Sequence, residues 1–282
     1  DSDIVEENIG DETGFSLDLS DEGDRLAIGS AFNNNTGGEC AGHVRVFEWY
    51  DESGWTQMGY ALNGSSAFEH AGASLALSGD GLIVAVGVPG ADNRRGRVEV
   101  YGFVESEWQQ RGVDLHGDNG GDQFGFSLSL STNGTRLTVG AKQNDAAGND
   151  AGSVRVYELK ADKWVAVSLD ILAEAAGDSA GFAVSMAGDG SRVAIAAPKS
   201  DANGTDSGQV RVYELERWDA IAPSPPPLSA PSPPPPSPPP PTPPPPPPPS
   251  PPPLTARWYQ MGADLNGEAV GDNHGGAVSL SG

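Results

Sequence analysis

The feature that most constrains this chain is a proline-rich segment at residues 223–253, PSPPPLSAPSPPPPSPPPPTPPPPPPPSPPP. Consecutive prolines exclude helix and sheet, because each ring fixes φ at about −65° and removes the backbone N–H donor. The conformation left is polyproline II, which rises about 3.1 Å per residue, so the segment spans roughly 95 Å. A stiff segment of that length holds its ends apart. We therefore expect the chain after the segment to lie on a different body from the chain before it, as in an assembly protein.

The charge balance excludes several classes of partner. Asp and Glu number 39 against 16 Lys and Arg, for a net charge of −23. This surplus disfavours nucleic acid and anionic membrane surfaces as partners, and it favours solubility. No apolar run approaches the ~18 residues of a transmembrane helix, so we predict no membrane span. The chain starts at Asp1 without an initiator Met or a signal peptide, from which we infer a mature or trimmed chain.

One strand pattern recurs four times along the chain. Each copy begins with a small-residue strand after a glycine, and these glycines are Gly14, Gly72, Gly125 and Gly181. A turn of the Asp-Gly or Asn-Gly kind follows, which is the strongest short-range signal for a hairpin. A second, apolar strand and a polar loop come next. A third strand then alternates apolar and polar residues, at 44–47, 98–101, 154–157 and 210–213. A fourth strand begins at a tryptophan, at Trp55, Trp108 and Trp164.

Four short antiparallel strands per repeat predict a propeller blade, with a β-solenoid or sandwich array as the alternative. We predict an all-β, propeller-like array of four-stranded antiparallel blades, with four full repeats and a partial fifth, interrupted by a polyproline II rod. The predicted blades span about 10–66, 67–118, 119–175 and 176–221. The rod spans 222–256, and residues 257–282 form a strand and a partial blade.

Two motifs carry a family resemblance: GDQFGFS at residues 121–127 and GQVRVY at 208–213. With these motifs the repeat resembles the FG-GAP-like blades of integrin-type propellers, most closely those of algal and protist surface proteins. The resemblance covers nearly the whole chain outside the proline-rich segment, and it implies a propeller fold. The resemblance implies a propeller that closes with about six to eight blades, within the general range for such folds. Closure here would need further sequence, or blades from several chains that build a ring or fibre together.

The array carries one tryptophan strand too many. Residues 217–221 can form the fourth strand of the fourth blade, yet residues 257–262 supply a second copy after the rod. This surplus predicts that the strand after the rod docks on an open sheet edge of a neighbouring subunit. The docking residues would be Trp258, Tyr259, Met261 and Leu265. Head-to-tail contacts of this kind build fibres. The alternative is an insertion at a hairpin tip, with Trp258 returning to its own blade.

The rod contains two Ser-Pro-Pro-Pro-Pro motifs, at 232–236 and 237–241. They resemble the extensin and pherophorin class of hydroxyproline-rich glycoproteins of plants and green algae. The resemblance implies hydroxylation and O-glycosylation at Ser232, Pro233, Pro234, Pro235, Pro236, Ser237, Pro238, Pro239, Pro240 and Pro241. The alternative is a P-x-x-P ligand for SH3 or WW domains, which are cytosolic partners.

Four sequons point to secretion. They place candidate N-glycans at Asn34, Asn63, Asn133 and Asn203, all in expected loops or turns. We therefore predict an extracellular or cell-surface protein that carries covalent glycans. The single cysteine, Cys40, excludes an intrachain disulfide. It is either an unpaired loop thiol or half of an intermolecular bridge.

Calcium is the cofactor that the family resemblance implies, although the sequence requires no cofactor. The candidate ligands are Asp145, Asp150, Asp201 and Asp206, in two polar loops. Calcium takes about six to eight oxygen ligands, and each loop offers only two or three side chains. Polar turns are therefore the alternative for both loops.

Neither the other acids nor the tryptophans predict catalysis. Asp11, Asp122, Asp178 and Asp272 recur in Gly-Asp-x-x-Gly turns. Regular recurrence favours an Asx turn, in which the carboxylate accepts from the backbone two residues on. The tryptophans recur once per blade, as core residues or, alternatively, as a lectin-type stacking platform.

We find no Cys/His metal cluster and no Ser/His/Asp constellation in the sequence, so we do not expect an enzyme. We predict a structural subunit of an extracellular glycoprotein fibre or matrix, which self-associates head to tail through the glycosylated rod and strand exchange. The alternative is a cell-surface adhesion or ligand-binding propeller on a proline stalk, with calcium-stabilised loops.

Overall fold

In the computed structural model, the described residues are 4, 10–217, 256–269, 271–272 and 275–280. Within them the chain is all-β, with four antiparallel sheets and one four-residue element, α1 (Ala91–Arg94). No helix in these ranges has the length and apolar character needed to cross a membrane. The predicted rod and its candidate hydroxylation and glycosylation sites at 232–241 lie outside the described residues.

The four sheets use equivalent strands. Sheet 1 contains β1 (Ser16–Leu19), β2 (Arg25–Ser30), β3 (His43–Tyr50), β4 (Gly54–Gln57) and β5 (Leu62–Asn63). Sheet 2 contains β6 (Ser74–Leu77), β7 (Ile83–Val88), β8 (Arg97–Val104), β9 (Glu107–Gln110) and β10 (Leu115–His116). Sheet 3 contains β11 (Phe124–Leu130), β12 (Arg136–Ala141), β13 (Ser153–Lys160), β14 (Lys163–Ala166) and β15 (Ile171–Leu172). Sheet 4 contains β16 (Ala183–Met186), β17 (Arg192–Ala197), β18 (Gln209–Arg217), β19 (Ala256–Gln260) and β20 (Leu265–Asn266).

Each sheet has a fifth strand that the sequence analysis did not predict. In sheet 1 the order is β1-β2-β3-β4, and β5 pairs with the same strand as β4. The outer strand is therefore split into two pieces along β3. Gly59 lies between them at a φ of 63°, a left-handed conformation that glycine adopts readily. The prediction of four-stranded blades is thus corrected to sheets with an outer edge in two pieces.

The predicted hairpins between the first and second strands are confirmed. In sheet 2, β6 pairs antiparallel with β7 across a turn at Gly81, which has a φ of 68°. A side chain bridges this turn: the amide of Ile83 donates to Ser78 Oγ at 2.9 Å. At the equivalent positions of sheets 1 and 3, Ser20 Oγ and Ser131 Oγ accept from the main-chain amides of Arg25 and Arg136, also at 2.9 Å. A serine before the Asp-Gly or Asn-Gly turn is therefore part of the hairpin.

Neighbouring sheets share their apolar cores. The second strand of sheet 2 is fully buried, since all six residues of β7 are buried. One cluster joins Val84 and Val86 of sheet 2 to Val44 and Val46 of sheet 1. Two further clusters join sheets 2 and 3 and sheets 3 and 4 in the same way. Packing between neighbouring sheets therefore removes apolar surface from water.

Sheet 4 is completed by a strand from beyond the proline-rich segment. β19 pairs antiparallel with β18, and Arg217 lies opposite Ala256. Residues 218–255 therefore connect two neighbouring strands, at a position where the other sheets have short turns. The expectation that 217–221 would supply this outer strand is corrected, because β18 itself extends to Arg217 and residues 218–221 lie outside the described residues. In this single chain both ends of the segment therefore lie on sheet 4, and docking on a neighbouring subunit stays a prediction.

Candidate functional site

The first strands of the four sheets, β1, β6, β11 and β16, are the inner strands. Serine hydroxyls on three of them link neighbouring sheets. Ser16 Oγ donates to the carbonyl of Gly72, Ser74 Oγ to that of Gly125, and Ser127 Oγ to that of Gly181, each at 2.7 Å. In every case the acceptor belongs to the next sheet or to the residues that enter it. The sequence analysis interpreted these serines as packing residues and missed this role.

A signal for that role is present in the cross-strand partners. Ser16, Ser74 and Ser127 lie opposite Gly29, Gly87 and Gly140. A Cβ at any of these glycines would overlap both the serine hydroxyl and the carbonyl that it reaches. In sheet 4 the same pair is Ala183 and Ala196. The Ser–Gly pair of sheets 1 to 3 is thus replaced as a pair in sheet 4. The reason is that the serine hydroxyl and a methyl group at the glycine position would occupy the same space.

The inner strands and residues 278–280 line a cavity of about 770 Å³. Asp18 and Asp21 are the titratable residues that line it among those described. Asp18 accepts from the amide of Leu77 at 2.6 Å and from that of Leu19 at 3.0 Å. Burial raises the pKa of Asp18, against the effect of these two hydrogen bonds, and nearby Asp21 raises it further. Asp18 therefore ties sheet 1 to sheet 2.

The acids of the Gly-Asp-x-x-Gly motifs brace loops, although not in the predicted way. Asp122 is buried, and its carboxylate accepts from the amides of Asp118 and Asn119, which precede it, at 3.2 and 2.9 Å. Asp178 likewise accepts from the amide of Ala175 at 3.0 Å. The expected Asx turn would have reached forward along the chain. The residue after the acid has a positive φ, as at Gln123, so the chain turns away and the carboxylate faces backward.

The four candidate calcium ligands lie in two similar loops. Asp145 Oδ1 accepts from the amide of Asp150 at 2.8 Å, and Asp201 Oδ1 accepts from that of Asp206 at 2.9 Å. These carboxylates close their own loops. No group of three or more His, Cys, Asp or Glu side chains in the described part of the chain is arranged to hold a metal ion. Calcium binding at these loops stays a prediction.

The four sequon asparagines all have exposed side chains. Asn34 Oδ1 accepts from the amide of Cys40 at 2.8 Å, and Asn133 Oδ1 accepts from that of Thr135 at 3.1 Å. Asn203 uses its amide nitrogen to donate to the carbonyl of Gly267 at 2.9 Å, which competes with glycan attachment there. Cys40 is partly exposed and unpaired within the chain. Glycosylation and an intermolecular bridge stay predictions.

Of the four predicted docking residues, Trp258 alone is buried, whereas Met261 and Leu265 are 39% and 57% exposed. Trp258 packs in the core that joins sheets 3 and 4. Its counterparts Trp108 and Trp164 donate from Nε1 to carbonyls of the preceding sheet, at 2.8 and 2.9 Å. The Nε1 of Trp258 is buried without a hydrogen-bond partner among the described residues. Among the described residues, the tryptophan of β19 therefore lacks the Nε1 hydrogen bond that its counterparts in β9 and β14 make.

Compared with known proteins, the chain matches no family model and no curated protein.

Proposed function

We propose that the chain is a structural subunit of an extracellular glycoprotein fibre or matrix, built from propeller-like blades of the FG-GAP-like kind. In this proposal subunits join by exchanging the segment that begins at Ala256. A glycosylated polyproline rod at residues 222–256 sets the distance between them.

The observation that carries the proposal is the origin of β19. This strand completes sheet 4, yet residues 218–255 separate it from its partner β18. The contacts of β19, β20 and residues 275–280 include main-chain pairs, the buried Trp258 and hydrogen bonds such as Leu280 N to Ser185 Oγ at 2.8 Å. A second copy can make the same contacts, which is the condition for strand exchange.

One property favours exchange over return within the chain. A stiff proline-rich connection resists bringing its ends to adjacent positions, and this lowers the effective concentration of β19 at its own sheet. The unpaired Nε1 of Trp258 costs about 1–3 kcal/mol relative to a bonded indole, and this cost weakens β19 equally in either arrangement. The tethered strand is therefore held less firmly than β9 or β14.

A disulfide test separates the two arrangements. Glu214 and Tyr259 lie opposite each other in β18 and β19, so Glu214→Cys with Tyr259→Cys links whichever chains share this pair. Glu158 and Val165 occupy the equivalent positions in sheet 3 and provide the matched control. Both double variants are made in a Cys40→Ser background. After oxidation at rising protein concentration, we expect covalent ladders from the 214/259 variant and monomers from the 158/165 variant.

Internally linked monomers from the 214/259 variant at every concentration would overturn the fibre proposal. That outcome favours the second candidate, an adhesion or ligand-binding propeller that carries the proline-rich segment as a stalk at a hairpin tip. The pairing of Arg217 with Ala256 in one chain is the observation on which this candidate rests.

A further inference from the structure

A second cavity, of about 620 Å³, opens at the end of the array away from the hairpin turns. It lies where the inner strands begin and the second strands end. Aromatic side chains from three sheets and their linkers form much of its wall: Phe15, Phe32, Phe68, His70 and Phe126. Phe15 and Phe68 are each about half exposed, at 50% and 54%. Flat apolar rings that stay open to solvent at a concave surface are typical of ligand sites.

The rings are ordered by contact with one another. Phe32 packs edge-on against Phe15, with ring centroids 5.6 Å apart, and against His70 at 5.1 Å. On the other side Phe126 packs against Phe182 at 5.3 Å. The aromatic wall is therefore preorganised, so that a ligand need not order it on binding.

Three cations gather at the same end. Arg94 lines the cavity, and Lys142 Nζ lies 3.4 Å from the ring centroid of Phe126 and 5.4 Å from that of Phe182. Burial, together with the charges of Lys199 and Arg94, lowers the pKa of Lys142 to about 8. Positive charges that repel one another in this way create a local field that attracts an anion.

These three cations lack the carboxylate partners that several arginines of the described residues have. Six arginines of the described residues pair with a carboxylate: Arg25, Arg97, Arg136, Arg155, Arg192 and Arg211. In the same part of the chain, no salt bridge involves Arg94, Lys142 or Lys199. Arg94, Lys142 and Lys199 thus lie near one another without ion-paired acids among the described residues, in a protein whose net charge is −23.

Amide side chains complete the polar part of the site. Arg94 Nη2 donates to Gln143 Oε1 at 2.9 Å, and Gln143 Nε2 donates to Asp150 Oδ1 at 3.2 Å. Gln123 lies beside Arg94 and Gln143. With its amide oxygen oriented toward Arg94, its Nε2 donates to Gln143 Oε1 at 2.9 Å and its Oε1 accepts from Arg94 Nε at 3.2 Å. The acid Asp150 therefore reaches this network through Gln143 rather than through a cation.

The backbone that carries Arg94 is strained. Asp92, Asn93 and Arg94 have φ values of 51°, 59° and 61°, three consecutive left-handed residues with side chains. Each such residue costs roughly 1–2 kcal/mol. The following linker holds the turn in place, since Gln123 N donates to the Arg94 carbonyl at 2.8 Å and Phe124 N to that of Arg95 at 3.1 Å. Strain kept at the rim of a cavity motivates a functional role for the residue that it positions.

We propose that this cavity binds an acidic saccharide. Its carboxylate or sulfate group would lie against Arg94 and Lys142, and the apolar face of its sugar ring would pack on the phenylalanine rings. The amides of Gln123 and Gln143 would hydrogen-bond its hydroxyl groups. Charge-assisted bonds to a guanidinium supply much of the affinity, and the rings and amides supply selectivity for a sugar over a simple anion.

The chain's own proline-rich segment is the competing occupant, because aromatic-lined grooves also bind polyproline. Residues 223–253 contain no Asp or Glu, so this segment would leave the cations unmatched. Charge complementarity therefore favours the acidic saccharide.

Calorimetric titration of the full chain tests the proposal with four probes: a galacturonate trisaccharide, a sulfated galactose trisaccharide, a neutral galactose trisaccharide and a peptide of residues 223–253. We expect binding of one or both acidic sugars and none of the neutral sugar. Lys142→Met keeps an apolar contact with the two rings and should weaken binding roughly tenfold or more, as should Phe32→Ala. Lys163→Met removes the same charge from the exposed end of β14 and should leave binding unchanged.

Several outcomes would overturn the proposal. These are equal binding of the neutral sugar, binding of the proline peptide in preference to both acidic sugars, equal weakening by Lys163→Met, or no binding of either acidic sugar. Unfolding midpoints within error of the parent chain establish that the variants are folded. The measurement does not depend on fibre formation, so its failure is distinguishable from failure of the strand-exchange proposal.

Discussion

The cross-strand pair Ser74–Gly87 gives a quantitative test of how the sheets are joined. Ser74→Ala removes the 2.7 Å hydrogen bond to the buried Gly125 carbonyl, which should cost about 1–2 kcal/mol of unfolding free energy. Gly87→Ala places a Cβ against both Ser74 Oγ and the Gly125 carbonyl. Overpacking against a main-chain atom should cost about 3 kcal/mol.

The double variant should cost less than the sum of the two. Removing the hydroxyl eliminates one of the two overlaps of the new methyl group, as in the natural pair Ala183–Ala196. The overlap with the Gly125 carbonyl remains, so the rescue is partial. We expect a favourable coupling of about 1–2 kcal/mol.

The measurement is urea unfolding followed by tryptophan fluorescence, with the three variants compared at equal m-values. Ser127→Ala combined with Gly87→Ala is the control, because the Ser127 hydroxyl faces Gly181 in the next junction. Its effects should add within about 0.5 kcal/mol. Additive effects for Ser74 and Gly87 as well would refute the idea that a hydroxyl and a methyl group compete for one space.

Three further predictions concern titration and hydrogen bonding. Burial and like charges lower the pKa of Lys142 to about 8, against an ordinary value of 10.5. Because the folded chain loses this proton at a lower pH than the unfolded chain, its stability should rise between about pH 8 and 10.5. Lys142→Met should flatten that rise in a series of melting temperatures. Trp108→Phe should cost about 1 kcal/mol more than Trp258→Phe in chemical unfolding, because only Trp108 donates to a carbonyl, that of Met58. Burial alone would raise the pKa of Glu69, but hydrogen bonds and the Arg97 charge lower it. Glu69→Gln should therefore lower the unfolding free energy at pH 7 by about 1–3 kcal/mol. In melts at acid pH the difference from wild type should shrink, because the wild-type carboxylate becomes protonated.

Local patterns in the sequence predict much of the sheet structure. The glycine before each inner strand, the Asp-Gly or Asn-Gly turn and the alternating third strand lie within one repeat, and each acts on its near neighbours. Positions such as Gly81 and Val98 can therefore be placed without tertiary information. The second piece of the outer strand was missed because a pair such as Leu62–Asn63 is too short for a period to be recognised.

Features that join distant repeats were not predictable in the same way. Arg94, Lys142 and Lys199 belong to different repeats, and none occupies a position that a motif marks. The choice between Trp218 and Trp258 as the outer strand of sheet 4 was open because both follow the same pattern. One clue was present: only Trp258 is followed by a Leu-Asn-Gly segment, at 265–267, that matches residues 62–64. That segment forms the second piece of the outer strand.

The position of β19 after residues 218–255 also has a consequence during synthesis. Chains are made at about 5–20 residues per second, so β18 waits roughly 2–8 s before its outer partner is translated. During that time its edge presents free main-chain donors and acceptors beside the apolar Leu215. Sheets 1 to 3 face no such delay, because their outer strands follow within a few residues. On a polysome, an adjacent nascent chain that has already been elongated past Gln260 is the first strand that can reach this edge.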